Sequence, residues 1–247
     1  KCLIIIGGWQ PPISDRSKGF FHKYPYIDFI CHGEGEFTFA DILLENLKKK
    51  PNFKNILGCS IPGRLLINRK DIEILDVKDG LKIINSTKIN EIELLDTYVT
   101  KPRPRIDHLA QMPSPYLNGL FDDLITKCKY ELEATIETTR GCPFGCTFCE
   151  IGTKYLQKIK TPTVEKVFRE IDWLSKNKII FVYNADSNFG MLDEHLEISE
   201  YLISKKKKTG YPQKHRVDWA KIHGDKVIKL AKLFHNSGMD KGITIAL

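Results

Sequence analysis

From residue 132 onward, strand-length apolar runs alternate with helical repeats, and this alternation limits the possible folds more than any other feature of the 247-residue chain. Residues 132–139 read as a strand. Thr161 is placed to cap a helix with Pro162 at its first position. Val164, Val167, Phe168, Ile171 and Leu174 then recur as one apolar stripe. Residues 179–183 form a continuous apolar strand, and Asp193 opens a second helix carrying Leu196, Leu202 and Ile203. Residues 215–219 make a third strand. Asp225 begins a third helix with Val227, Ile228, Ala231 and Phe234, and Gly238 ends it. Residues 242–247 read as a fourth strand. The order β-α-β-α-β-α-β predicts a parallel sheet, open or barrel-like, with function at the C-terminal ends of its strands.

The first part of the chain follows a looser pattern. Residues 3–6 form a short apolar strand that stops at Gly7-Gly8, a turn where backbone can be approached closely. Residues 26–31 make a second strand, followed by Gly33-Glu34-Gly35-Glu36. Phe37, Ala40, Leu43, Leu44 and Leu47 then recur at helical spacing, with Pro51 beyond the end. A further short strand is expected near residues 55–57. Residues 64–133 read as a connector with a small β element. Its β-like pieces are Leu65-Leu66-Ile67, Ile72-Glu73-Ile74-Leu75 and Lys82-Ile83-Ile84. Alternate prolines in Lys101-Pro102-Arg103-Pro104-Arg105 and Met112-Pro113-Ser114-Pro115-Tyr116 impose extended chain.

With 42% hydrophobic and 28% charged residues the chain has the makings of a folded core, and no apolar run nears the roughly 18–20 residues needed to span a bilayer. The formal charge of +7 suits anionic ligands without requiring nucleic acid. The lysine block from Lys205 to Lys208 falls at an expected helix C-terminus, where cations favour the macrodipole. The seven cysteines do not form a disulfide framework and point to a reducing, cytoplasmic setting. Cys2, Cys31, Cys59 and Cys128 are scattered and read as small buried hydrophobes. His215, His223 and His235 are dispersed and read as surface residues.

The remaining cysteines carry the chemistry. Thr139-Arg140-Gly141-Cys142-Pro143-Phe144-Gly145-Cys146-Thr147-Phe148-Cys149 directly follows the strand at 132–139. Its spacing is CxxxCxxC, and Gly141, Pro143 and Gly145 favour a compact loop that can aim the thiolates at one point. Such a set suits a 4Fe–4S cluster with one iron free to bind a small molecule. A structural zinc module, or a nucleic-acid-binding protein using the basic surface, is the alternative, and the zinc site needs a fourth ligand from Cys128 or a histidine.

The segment resembles the radical S-adenosylmethionine superfamily, whose signature is CxxxCx(aromatic)C; the aromatic here is Phe148. Pro113 to Phe121, Glu137 to Cys142 and Asn184 to Gly190 extend the likeness to the subgroup with an N-terminal cobalamin-binding domain. Gly7-Gly8 and Gly33-Glu34-Gly35-Glu36 match segments of that domain. The resemblance implies an α/β chain: the C-terminal part of a Rossmann-like cobalamin domain (1–63), the connector (64–133), and the first four strands of a partial (β/α) radical barrel (134–247). The chain is expected to continue at both ends.

The resemblance also implies Cys142, Cys146 and Cys149 as cluster ligands, S-adenosylmethionine on the open iron, and cobalamin near Gly7, Gly8, Gly33 and Glu34. Phe148 would lie by the adenine. The reduced cluster would cleave S-adenosylmethionine to a 5′-deoxyadenosyl radical, and the commonest outcome is methyl transfer to an unactivated carbon or to phosphorus. A small-molecule or peptide substrate and an electron donor such as flavodoxin or ferredoxin are implied; no membrane partner is expected, and the charge does not favour nucleic acid. Cobalamin-independent relatives, the methylthiotransferases and maturases, share the cluster loop and stay open as an alternative. The chain departs from the family where a Gly-Gly-Glu segment often follows the second barrel strand. It has Asn184-Ala185-Asp186-Ser187-Asn188 there. Asp186 and Asn188 are candidates for the methionine end of the ligand, or Asp186 orders the turn. The lower-ligand motif Asp-x-His-x-x-Gly is absent. Lys221, at the end of the third strand, is a candidate contact for substrate or S-adenosylmethionine.

Overall fold

The computed structural model describes residues 2–8, 11–12, 17, 19–66, 96–149, 156–221 and 224–242. The β-like pieces at 72–75 and 82–84, the end of the one at 65–67, His223 and the final strand from residue 243 on lie outside the described residues. The chain divides into two compact units, Lys1–Ile106 and Asp107–Leu247. No helix among the described residues is long and apolar enough to cross a membrane.

The first unit is built on a mixed sheet in the order β1-β2-β3-β4. Strands β1 (Ile5–Ile6) and β2 (Phe29–Cys31) are parallel. Strands β3 (Cys59–Pro62) and β4 (Thr97–Val99) add antiparallel pairings. The strand expected near 55–57 begins later. Residues Phe53–Asn55 form a 3-10 turn, and Gly58 at φ 75° reverses the chain before β3. The turn drives Phe53 into the core, edge-on to Phe29 at 5.0 Å. Phe29, Ile42, Ile56, Cys59 and Ile61 complete that core. A buried ion pair closes one edge: Arg64 donates to Asp28 at 3.1 Å and to the Ile27 carbonyl at 2.6 Å.

Helices α1 (Phe20–Lys23) and α2 (Glu36–Asn46) belong to this unit. The expected stripe of α2 faces outward: Phe37, Ala40, Leu43, Leu44 and Leu47 are all exposed, while Thr38 and Ile42 are buried. Polar contacts set that orientation. Thr38 donates to the Leu57 carbonyl at 3.0 Å and accepts from Arg103 at 2.9 Å, and Arg103 pairs with Asp41 on the next turn inward.

In the second unit β5 (Glu133–Ile136), β6 (Phe181–Phe189) and β7 (Lys214–Trp219) are parallel and adjacent in that order. Helix α3 (Asp122–Lys127) precedes them. Helices α4 (Val164–Lys176), α5 (Glu194–Thr209) and α6 (Asp225–Asn236) alternate with the strands and with the turn after β7, as the sequence pattern requires. Val167, Ile171, Ile198, Leu202, Leu230 and Phe234 meet Phe189, Val217 and Trp219 in one core. The cap of α4 is Thr163 rather than Thr161, its hydroxyl accepting from the Lys166 N–H at 3.3 Å. Pro162 holds the residue before it in extended chain, which delays the helix. Asp193 stands at the N-cap of α5, but its carboxylate pairs with Lys226 instead of capping. Gly238, at φ 63°, ends α6 as expected. Lys205 to Lys208 lie in the last turns of α5, where Lys206 donates to the Ser237 and Gly238 carbonyls.

Strand β6 runs further than the apolar run suggests, through Asn184, Asp186 and Asn188, with a register shift against β7 between Asn184 and Phe189. Val182, Asn184 and Asp186 are buried, while Tyr183 and Ala185 between them are more open. The period of two thus turns Asn184 and Asp186 toward the helices. His215 is also a correction. It is buried on the same side of β7 between Phe189 and Phe234, not on the surface, whereas His235 is exposed. Of the scattered cysteines, Cys31 and Cys59 are buried as expected, and the two thiols are pushed up to about 11 by burial. Cys2 is exposed and Cys128 is half-buried.

Candidate functional site

The cysteine loop leaves β5 through Thr138 and Thr139 and is clasped at its base. The Arg140 N–H donates to the Lys160 carbonyl at 2.8 Å, Lys160 returns the bond to Arg140 at 2.9 Å, and Cys142 donates to Leu156 at 2.9 Å. Gly141 sits inside the clasp at φ 113°. A Cβ there would come within 2.6 Å of the Leu156 carbonyl oxygen and 2.8 Å of that of Lys158, so only glycine fits. Arg140 is itself held by a forked pair of bonds to Glu137 at 2.9 and 2.7 Å.

Within the loop, the Cys149 N–H donates to the Cys146 carbonyl at 3.1 Å, a turn that folds these two cysteines back on each other. Cys142 is buried; Cys146 and Cys149 are half-buried. The Lys221 ammonium lies 3.8 Å from the sulfur of Cys142 and 3.8 Å from that of Cys146. Among the described residues, no three His, Cys, Asp or Glu side chains are gathered closely enough to hold a metal ion. The donor set nevertheless fits an iron–sulfur group. All three cysteines lie on one loop after a parallel strand and offer the sulfur ligands such a group takes, and the Lys221 ammonium is within reach of two of the sulfurs. Phe148 is 88% exposed, which removes it from the core and leaves its ring open to a ligand.

Asp186 anchors the loop from β6. One carboxylate oxygen accepts from the N–H groups of Thr138 at 2.7 Å and Thr139 at 2.9 Å, and the other accepts from the Thr138 hydroxyl. Burial pushes this carboxyl up to about 6. His195 of α5 stands behind it, with Nε2 3.6 Å from Asp186. Gly190 donates its N–H to Nδ1 at 2.6 Å, which places the proton of the neutral ring on Nε2. Burial lowers His195 to about 4. A cavity of about 290 Å³ opens beside this pair between the first turns of α4 and α5, lined by Thr138, Thr163, Glu165, Glu194, His195 and Ile198. None of the cysteines lines it. Asn188 is 1% exposed, and both atoms of its side-chain amide lack a hydrogen-bond partner among the described residues.

In the first unit, Gly7-Gly8 and Gly33 follow the adjacent parallel strands β1 and β2, so the structure brings these glycine turns to one end of the sheet. Gly8 has φ 88°, and a Cβ added there would meet no atom within 4 Å; Gly33 has φ 69°. Glu34 is turned away to hold the chain at 105–106, accepting from Arg105 at 3.1 Å and from the Ile106 N–H at 2.7 Å. The Thr138–Asp186–His195 chain and the Arg140–Lys160 clasp leave no motif in the sequence. Only the alternation of a strand extended to residue 189 reveals the direction of Asp186.

No family model matches the chain. Over 99% of its length it is similar to two curated methyltransferases, one of them named as a cobalamin-dependent radical SAM enzyme. It is 29% identical over 248 aligned residues to a 2-(S-pantetheinyl)-carbapenam-3-carboxylate methyltransferase of Streptantibioticus cattleyicolor, 99% of this chain and 32% of that protein. It is also 29% identical, with the same coverage of both chains, to the cobalamin-dependent radical SAM methyltransferase TokK of Streptomyces tokunonensis. The chain thus spans about a third of the length of these curated relatives. Its fold matches the cobalamin-dependent radical enzyme OxsB, solved with aqua-cobalamin and S-adenosylmethionine bound. The TM-score is 0.58 and the identity 21%, over 99% of this chain and 31% of that one.

Proposed function

We propose that the protein is a radical S-adenosylmethionine methyltransferase that uses cobalamin and acts on an unactivated carbon, or phosphorus, of a small-molecule or peptide substrate. The clasped loop that presents Cys142, Cys146 and Cys149 beyond β5 carries this reading, and the named methyltransferase relatives support it. Cys142, Cys146 and Cys149 would hold a 4Fe–4S cluster, which supplies the electron for cleaving S-adenosylmethionine. Gly8 leaves open backbone at the end of β1, where a large planar cofactor can approach closely, and Gly7 and Gly33 lie at the same end of the sheet.

The chain's own residues have separable tasks. Gly141 and the bonds between Arg140 and Lys160 fix where the thiols emerge. Asp186 ties the exit of β5 to β6 and so orients the loop; with its oxygens engaged by Thr138 and Thr139, it acts as a positioning residue. Phe148 offers an exposed ring for stacking on the adenine, and Asn188 offers an unpartnered amide for a polar ligand. An electron donor of the flavodoxin or ferredoxin type would supply the reducing equivalent.

Anaerobic reconstitution with iron and sulfide tests the reading. About four irons per chain are expected, and they are lost when all three cysteines are changed to alanine. Cobalamin added to the same protein should change its visible spectrum on binding. Iron retained by the triple variant rejects the cluster assignment, and an unchanged spectrum favours a cobalamin-independent enzyme.

A further inference from the structure

We propose that Lys221 is a positioning residue for the metal group, donating to the sulfurs of Cys142 and Cys146 and raising the reduction potential of the cluster they hold. The inference rests on the cluster reading above and extends it to a residue outside the cysteine motif. Lys221 lies two residues past the end of β7, 79 residues beyond Cys142 and 75 beyond Cys146, yet its ammonium is equidistant from the two sulfurs at 3.8 Å. It also lies 5.5 Å from the centre of the Phe144 ring, between the two cysteines. The chain is pinned one residue earlier: Ala220 is buried, and its N–H donates to the Phe189 carbonyl at 2.8 Å. No carboxylate pairs with Lys221 among the described residues. Among the described residues its charge is therefore directed at the sulfurs.

A cation that donates to ligand sulfurs favours the state with the extra electron, because cluster potentials follow net charge and the hydrogen bonds made to sulfur. The step is a single electron taken from a one-electron reductant into the oxidised cluster. No bond forms or breaks, and no proton moves. A lysine whose ammonium pointed into solvent, away from the sulfurs, would be screened and move this potential far less.

The test is a redox titration with titanium(III) as reductant, followed by electron paramagnetic resonance, on the reconstituted protein and its Lys221→Met, Lys221→Gln and Lys221→Arg variants, with iron measured in each. The Met variant should keep its iron, while its equilibrium shifts at least tenfold toward the oxidised form, about 59 mV for one electron. Gln, a neutral donor, should give a smaller shift in the same direction, and Arg should stay close to the unaltered protein. Full iron with an unmoved midpoint in the Met variant overturns the inference and leaves the cluster reading intact. Should the Met variant fail to load, the Gln variant decides in the same way. An unaltered protein that binds no iron overturns both.

Discussion

Both units place glycine-bearing turns after parallel strands, but they build them in opposite ways. The turn after β5 is closed: Gly141 lies against the carbonyls of Leu156 and Lys158, and Asp186 gathers the backbone that leads into it. The turn after β1 is open at Gly8, where nothing among the described residues stands within 4 Å of the missing side chain. One glycine is required by neighbouring atoms, the other by backbone conformation and by whatever approaches it. A tight turn suits small ligands such as iron, whose donor positions must be fixed closely, while an open one suits a large cofactor that brings its own shape.

Gly141→Ala attacks the closed turn most directly. Overlap with two backbone carbonyls adds to an unfavourable φ, and the combined cost is about 4 kcal/mol. Denaturant unfolding should show it, with iron binding lost. Asp186→Ala should cost about 3 kcal/mol, since it strands the N–H groups of Thr138 and Thr139 in the interior. If iron uptake survives this change, the anchoring role falls.

The third effect is one of pH and is read in the second unit. Burial lowers His215 to about 3, so between that value and its ordinary 6.5 the unfolded chain binds the proton and the folded chain does not. Stability from this group is complete above pH 6.5 and is lost progressively as the pH falls toward 3. Asp186, held up near 6, works the other way: its contribution declines as the pH rises from about 4 to about 6. His215→Phe isolates the first term. It should flatten the acid side of the stability profile by about 2 kcal/mol between pH 6.5 and 5; an unchanged slope would place the ring in water.

Gly8→Ala is the mildest change, costing about 1 kcal/mol from backbone conformation alone. Its value lies in the second readout. Cobalamin affinity, measured by absorption titration, should fall at least tenfold if the open turn receives the cofactor, by about 1.4 kcal/mol. Unchanged affinity would remove Gly8 from that site.

The same contrast explains what the amino-acid order reveals. The stripe of α4 is legible because Val167, Ile171 and Leu174 meet other apolar side chains, so periodicity and burial agree. The stripe of α2 misleads because its inward face is chosen by Arg103, 65 residues from Thr38 and 62 from Asp41, and a local pattern carries no trace of so distant a partner. The cysteine loop is legible from spacing and from its place after a strand. The inward turn of Asp186 is not, because polar residues in 184–188 look like the end of a strand when they are its buried continuation. Lys221 can be placed at the right end of β7, but its sulfur neighbours depend on how the loop folds back.

The pair of bonds between residues 140 and 160, and the single one between 142 and 156, have a consequence for protein engineering. They make the thiol-bearing stretch a cassette, stitched at its own hem and tied to the fabric around it at few points. Grafted with both borders and a matching aspartate on the neighbouring strand, it should be portable to other parallel sheets.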